Sequence, residues 1–263
     1  MNILSRGDFM FKTFNLNKGL IFILCCSLLC FVCTLFTVDK VIEANNESRR
    51  LPIYSVETSE RKISITFDAA WSAEDTDLLM KILKKHNTKA TFFVVGDWVK
   101  QNPDALKKLF ENGHEIGNHS DKHPAYSRLS RGEIRQDMLD CNAKIKAITN
   151  SEIKLCRAPS GDYDNKSIEV CESLGMKMIQ WDVDSLDWKL LSVDEMYARV
   201  TSKVQNGSII LFHNGVENTP EALDKILTKL EKDGYEFVTV SELIYWDNYT
   251  IDHTGRQIYY SNN

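Results

Sequence analysis

Two histidines four residues apart, His119 and His123 in the stretch NHSDKHP (118–124), are the residues whose types and spacing first suggest chemistry. Imidazole nitrogen suits zinc and other divalent ions, and this separation lets both rings point the same way on one turn. A catalytic zinc takes three protein ligands and keeps a position open for water or substrate, so two histidines call for a carboxylate nearby. Asp68 is the first candidate, with Asp121 and Asp75 behind it.

Other ionisable residues stand directly after apolar runs: Asp68 after SITF, Arg157 after KLC, Asp184 and Asp187 after MIQW, and His213 after SIILF. Taken singly, each has an ordinary role: an aspartate caps a turn, an arginine pairs at the surface, a histidine packs. An unpaired charge at the end of a buried strand is costly, however, so a recurring pattern of this kind points to one shared site.

The elements that must position these residues alternate from Arg61 onward. Strand-like KISITF, KATFFVV, HEIGNHS, KLCRAP, MKMIQWDVDS, SIILFHN and EFVTVSEL are separated by helical patterns, and seven strand–helix units can be counted. Gly113, Gly175, Gly207 and Gly234 follow helical stretches, as C-caps do. Such alternation predicts a parallel sheet with helices outside, and about 200 residues of it suit a barrel better than a small open sheet. In a barrel the C-terminal strand ends converge on one face, where residues distant in sequence meet.

The segments TFDAAW, HSDKHP, RAPSGDY, DSLDW and LFHN occur in the order and spacing of the five motifs of polysaccharide deacetylases, and the region 61–245 resembles this family, carbohydrate esterase family 4 with its NodB-homology domain. The resemblance implies a distorted (β/α) barrel of about seven parallel strands. It implies Asp68 as catalytic base, His119 and His123 as ligands of a divalent metal (zinc, or cobalt), His213 as general acid and Arg157 as the group orienting the base. Asp184 or Asp187 would tune the acid histidine. Trp188 would line the acetyl pocket, with Pro159, Tyr163 and Leu211 as further substrate-binding residues. The implied substrate is a cell-wall polysaccharide, peptidoglycan first, then chitin-like oligosaccharides, with an O-acetyl ester open to the same chemistry.

The sequence departs from the family at one position. Motif one normally reads Thr-Phe-Asp-Asp-Gly, with the second aspartate as third metal ligand, and here that residue is Ala69, followed by Ala70 and Trp71. Losing that carboxylate weakens the expected metal site. Sporulation-associated members look similar to this variant. The competing expectation is a catalytically silent carbohydrate-binding domain on the same fold. A third is a structural protein with Trp98, Trp181, Trp188 and Trp246 as core; His86, His114 and His253 are read as surface or structural residues.

The N-terminus carries an uncharged run of membrane-spanning length, GLIFILCCSLLCFVCTLFTV (19–38). Basic residues Arg6, Lys12 and Lys18 precede it, which predicts a cytoplasmic tail over 1–18, a single transmembrane anchor over 19–38 and an extracytoplasmic remainder. A linker over 39–60 and a C-terminal tail over 246–263 complete the expected organisation. A net charge of −5 with interleaved signs gives no footprint for nucleic acid. Cys141, Cys156 and Cys171, the cysteines outside the apolar run, form no disulfide framework and read as small buried hydrophobes.

Overall fold

A computed structural model describes residues 49–260 together with Ser27. The expected tail over 1–18 and, Ser27 apart, the expected anchor over 19–38 lie outside the described residues, among which no helix is long and apolar enough to cross a membrane.

The central strand, β2 (Lys62–Ala69), is buried at every residue but its first. Its isoleucines, threonine and phenylalanine suit a strand covered on both faces. It pairs in parallel with β3 (Thr91–Val94) on one side and β8 (Ile209–His213) on the other. Beyond β3 follow β4 (Glu115–Asn118), β5 (Leu155–Cys156) and β6 (Lys177–Met178), and beyond β8 lies β7 (Val183–Asp184). All these pairings are parallel and the order is β6-β5-β4-β3-β2-β8-β7, with β9 (Glu236–Phe237) beside the start of β2. This half-barrel agrees with the expected distorted barrel.

The sheet differs from the sequence reading at its edges. The single strand expected in MKMIQWDVDS divides into β6 and β7, which lie at opposite ends of the sheet. The chain crosses between them through Gln180, whose N–H donates to the carbonyl of Ile53. An N-terminal segment fills the gap: Ile53 bridges Ile179 on one side and Ser55 bridges Ser208 on the other. Strand β1 (Ser55–Val56) in turn pairs with β11 (Arg256–Tyr259), itself antiparallel to β10 (Tyr249–Ile251). Residues 49–60 and 246–260, expected as linker and tail, are thus built into the domain, with Ile53, Val56 and Gln257 buried.

Helices cover the outside of the sheet. The helix Thr76–Lys85 turns Leu79, Ile82 and Leu83 inward at the three-to-four-residue spacing of an apolar stripe. The longest among the described residues, Arg131–Thr149, starts at a capping box in which Ser130 and Glu133 satisfy each other's backbone N–H groups. One core lies between sheet and helices and includes Ile63, Ile65, Phe67 and Ala69. The other includes Ile53, Val56, Phe93, Leu155, Ile179 and Ile209. Because side chains alternate along a strand, Asp68 stands on the face of β2 opposite to Phe67 and Ala69.

Candidate active site

Asp68, near the end of β2, and Arg157, just after β5, form a buried pair with Nη1 to Oδ1 at 2.7 Å. Arg157 is fully buried. Its guanidinium lies over the ring of Phe93 at 4.1 Å and near that of Trp181 at 5.4 Å, and Nη2 donates to the carbonyl of Gln180 at 3.1 Å. Two aromatic faces and a fixed acceptor hold the fork rigid. Burial alone would raise the carboxyl pKa of Asp68, but its interactions with His119, with Arg157, which is charged and donates a hydrogen bond to it, and with His213 prevail and hold it below the usual carboxylate value.

His119 follows β4. Its Nδ1–H donates to the carbonyl of Arg157 at 2.9 Å, which fixes the tautomer and leaves Nε2 as a lone pair. Burial pulls its pKa down to about 4, so the ring is neutral at neutral pH. Nε2 lies 3.3 Å from Oδ2 of Asp68, placing two acceptors face to face, an arrangement that suits a cation. His123 stands near, its ring centroid 5.0 Å from that of His119. The two rings are brought together by a tight loop and not by a helical turn: Ser120 and His123 both have positive φ, 73° and 60°, and Oγ of Ser120 accepts from the N–H of His123 at 2.9 Å. Left-handed backbone at non-glycine residues is held only where surroundings enforce it.

The expected carboxylates divide. Asp121 is paired with Lys144 at 2.6 Å, and Asp75 accepts from the N–H of Gly215 at 2.8 Å; neither lines the cavity that His119 and His123 share with Asp68. Ala69 is buried in the core that faces the helices. Among the described residues, no group of three His, Cys, Asp or Glu side chains is arranged to hold a metal ion. His119 and His123 thus supply two imidazoles, and the set of three ligands that would leave Asp68 free is incomplete.

His213 ends β8. Its Nδ1 meets Oδ1 of Asp187 at 2.7 Å, and its backbone N–H donates to Oδ2 of the same carboxylate at 2.7 Å. Asp187 is fully buried and also accepts from Oγ1 of Thr219 at 2.9 Å. Asp187 and not Asp184 thus supports His213, resolving the choice that spacing left open. Burial opposes the charged imidazole, yet the hydrogen bond to Asp187 and the fields of Asp68, Asp187 and Asp184 outweigh it and raise the pKa of His213. Asp184 accepts from the N–H of Leu186 at 2.8 Å, and burial, the largest influence, leaves its pKa raised.

These residues face one cavity of about 410 Å³, which Asp68, His119, His123, Asp184, Trp188, Leu211 and His213 line. Pro159 and Tyr163 are not among its lining residues; Tyr163 directs its hydroxyl to that of Tyr54 at 2.9 Å. Trp98 is core, as expected for a large aromatic, whereas Trp188 is 47% exposed. Trp71, Ser160 and Trp181 also line the cavity, and Thr219 steadies Asp187; sequence reasoning gave none of them a place in the site and read Trp181 as a core candidate. For Trp71 a signal existed: a large aromatic one residue beyond a motif that ends in small residues.

A polysaccharide deacetylase family profile matches residues 55–179. The chain is 36% identical over 196 residues to the peptidoglycan-N-acetylglucosamine deacetylase PgdA of Listeria monocytogenes, covering 74% of this chain and 41% of that protein. It is 31% identical to the peptidoglycan-N-acetylmuramic acid deacetylase PdaA of Bacillus subtilis, covering 73% and 74%. Among solved structures, a CE4 family pseudoenzyme from Bacillus anthracis superposes with a TM-score of 0.71 at 37% identity, covering 73% of this chain and 68% of that one, and a mutant of it is described as having restored enzymatic activity. The chain spans 41 to 60% of the length of some curated relatives it matches. With the ordered motifs gathered at one cavity and a relative matched over 74% of its length, the chain belongs to the polysaccharide deacetylase family.

Proposed function

We propose that this chain is a membrane-anchored hydrolase that removes N-acetyl groups from a cell-wall glycan, peptidoglycan first, outside the cytoplasm. The observation that carries the reading is the pair of buried dyads, Arg157–Asp68 and Asp187–His213, opening on one cavity. Their opposed electrostatics suit opposite tasks, since the pKa of Asp68 is held down and that of His213 is held up. The anchor rests on the uncharged run 19–38, and the substrate on the printed names of PgdA and PdaA.

In this mechanism Asp68, one oxygen fixed by Arg157, takes a proton from water at its other oxygen as the water adds to the acetyl carbonyl carbon. His213, held through Nδ1 by Asp187, delivers the Nε2 proton to the departing amine as the C–N bond breaks, giving acetate and a free amino sugar. His119 and His123 would hold a divalent ion, zinc or cobalt, which when bound polarises the carbonyl and activates water. Trp188 and Leu211 offer an apolar wall for the acetyl methyl.

The second reading, a weakly active or silent glycan-binding domain, is favoured by Ala69 and by the likeness to a pseudoenzyme. One experiment separates the two. The full chain, loaded separately with zinc and cobalt, is assayed for acetate release from N-acetylated peptidoglycan fragments. Release that a chelator abolishes supports the hydrolase. No release, with no metal retained, gives the site to binding.

A further inference from the structure

The loop leaving β2 presents a side chain that the reaction above does not use. The indole of Trp71 lies on the imidazole of His213, ring centroids 5.1 Å apart and planes 21° from parallel. It lines the same cavity, yet Trp71 is 54% exposed. Leaving that much indole in water forfeits burial energy, and with Trp188, also half-exposed at the same cavity, it gives the cavity two indoles placed to contact a ligand.

The loop beneath it is fixed. The carbonyl of Ser72 accepts from Nε1 of Trp98 at 3.3 Å and from the side-chain amide of Asn214. The N–H of Gly215 donates to Asp75 at 2.8 Å, and a Cβ on Gly215 would come within 3.0 Å of Ser72. The loops after β2 and β8 are thereby locked together, and the indole is presented as a rigid platform instead of a mobile flap.

One part of the indole is taken by His213 and the remainder opens at the cavity mouth. A pyranose ring presents a face of C–H groups that packs on the negative face of an aromatic ring. A sugar stacked on the outer surface is separated from His213 by the indole itself, so it cannot be the sugar whose amine the histidine protonates. It is a neighbour along the chain.

We propose that Trp71 binds the sugar adjacent to the one being deacetylated, giving the site a preference for a glycan chain over a single sugar. The inference rests on the reading of the ligand as an N-acetylated glycan. Calorimetric titration of the full chain and of Trp71→Ala and Trp71→Phe with N-acetylglucosamine and with its β-1,4-linked tetramer tests it, with acetate release measured in parallel. Trp71→Ala should weaken tetramer binding about tenfold, the scale of one lost aromatic contact, and single-sugar binding far less, while Trp71→Phe keeps most of the preference. Equal losses for both ligands, or a wild-type chain that does not prefer the tetramer, would overturn it. A preference that Trp71→Ala erases, in a wild-type chain that releases no acetate, upholds this inference and sinks the hydrolase. Acetate release with a preference untouched by Trp71→Ala does the reverse.

Discussion

At the scale of single residues, two charged groups are set in opposite states by what surrounds them. His213 owes its raised pKa, against the opposing effect of burial, first to the hydrogen bond its Nδ1–H donates to Asp187. If protonated His213 is the acid, activity falls as pH rises through that pKa. Asp187→Asn removes the charge and weakens the hold on the ring, so the alkaline limb of the rate profile should move to lower pH and kcat should drop about 100-fold. An unmoved limb would take the acid role from His213. Ala69 poses the complementary question. Its methyl packs in the core under the helices, on the strand face opposite Asp68, so Ala69→Asp should cost about 2 kcal/mol in chelator as a carboxyl is buried without a partner. If the new side chain can turn toward His119 and His123, zinc restores the loss in a urea titration. If zinc leaves it unrestored, position 69 cannot complete the shell.

At the scale of elements, the half-barrel depends on a short strap. Gly207 has φ of 78° and its N–H donates to Lys62, while its carbonyl accepts from Val56. A Cβ there would fall 1.8 Å from the carbonyl oxygen of Val56, so no side chain fits without moving β1. Gly207→Ala should therefore destabilise the domain by more than about 2 kcal/mol in chemical denaturation, combining backbone strain with displacement of the strap. A loss within about 0.5 kcal/mol would mean that the strap bears little of the closure. This element was the least legible in the sequence. Period and C-capping glycines placed most helices, since Gly113, Gly175 and Gly234 each lie two residues beyond a helix end, whereas Gly207, also expected as a C-cap, lies six residues after the helix that ends at Thr201 and serves the strap instead. Closure is not local: two-residue strands such as β1, β5, β6 and β7 carry too few residues for a pattern. The C-terminal hairpin had a readable signal, since Asp252 accepts from the N–H groups of Thr254 and Arg256 around Gly255, the chemistry of a tight turn. The site itself was largely legible, because strand ends in a parallel sheet must converge, whereas the carboxylate that holds His213 needed the structure.

At the scale of the whole molecule, stability and the site share a dependence on neutral imidazole. His114, read in the sequence as a surface or structural residue, is buried and accepts at Nδ1 from the N–H of Ala90 at 3.2 Å. Burial, aided by the charge of Lys89, pushes its pKa down to about 4. In the unfolded chain the ring titrates near its ordinary value of about 6.5, so below that pH the unfolded state takes up a proton that the folded state refuses. Stability from this group is full above about 6.5 and is lost progressively as pH falls toward 4. Between pH 7 and pH 5 the loss amounts to about 2 kcal/mol. His119, with its pKa also near 4, adds a parallel loss in the metal-free chain. His114→Asn keeps an oxygen able to accept from Ala90 but has no proton to gain. Urea titrations in chelator at both pH values should then show the variant losing about 2 kcal/mol less than the wild type on acidification. An equal loss in both would place the acid sensitivity in His119 and the carboxylates instead. Acid would then limit the domain at its active site and not at its core.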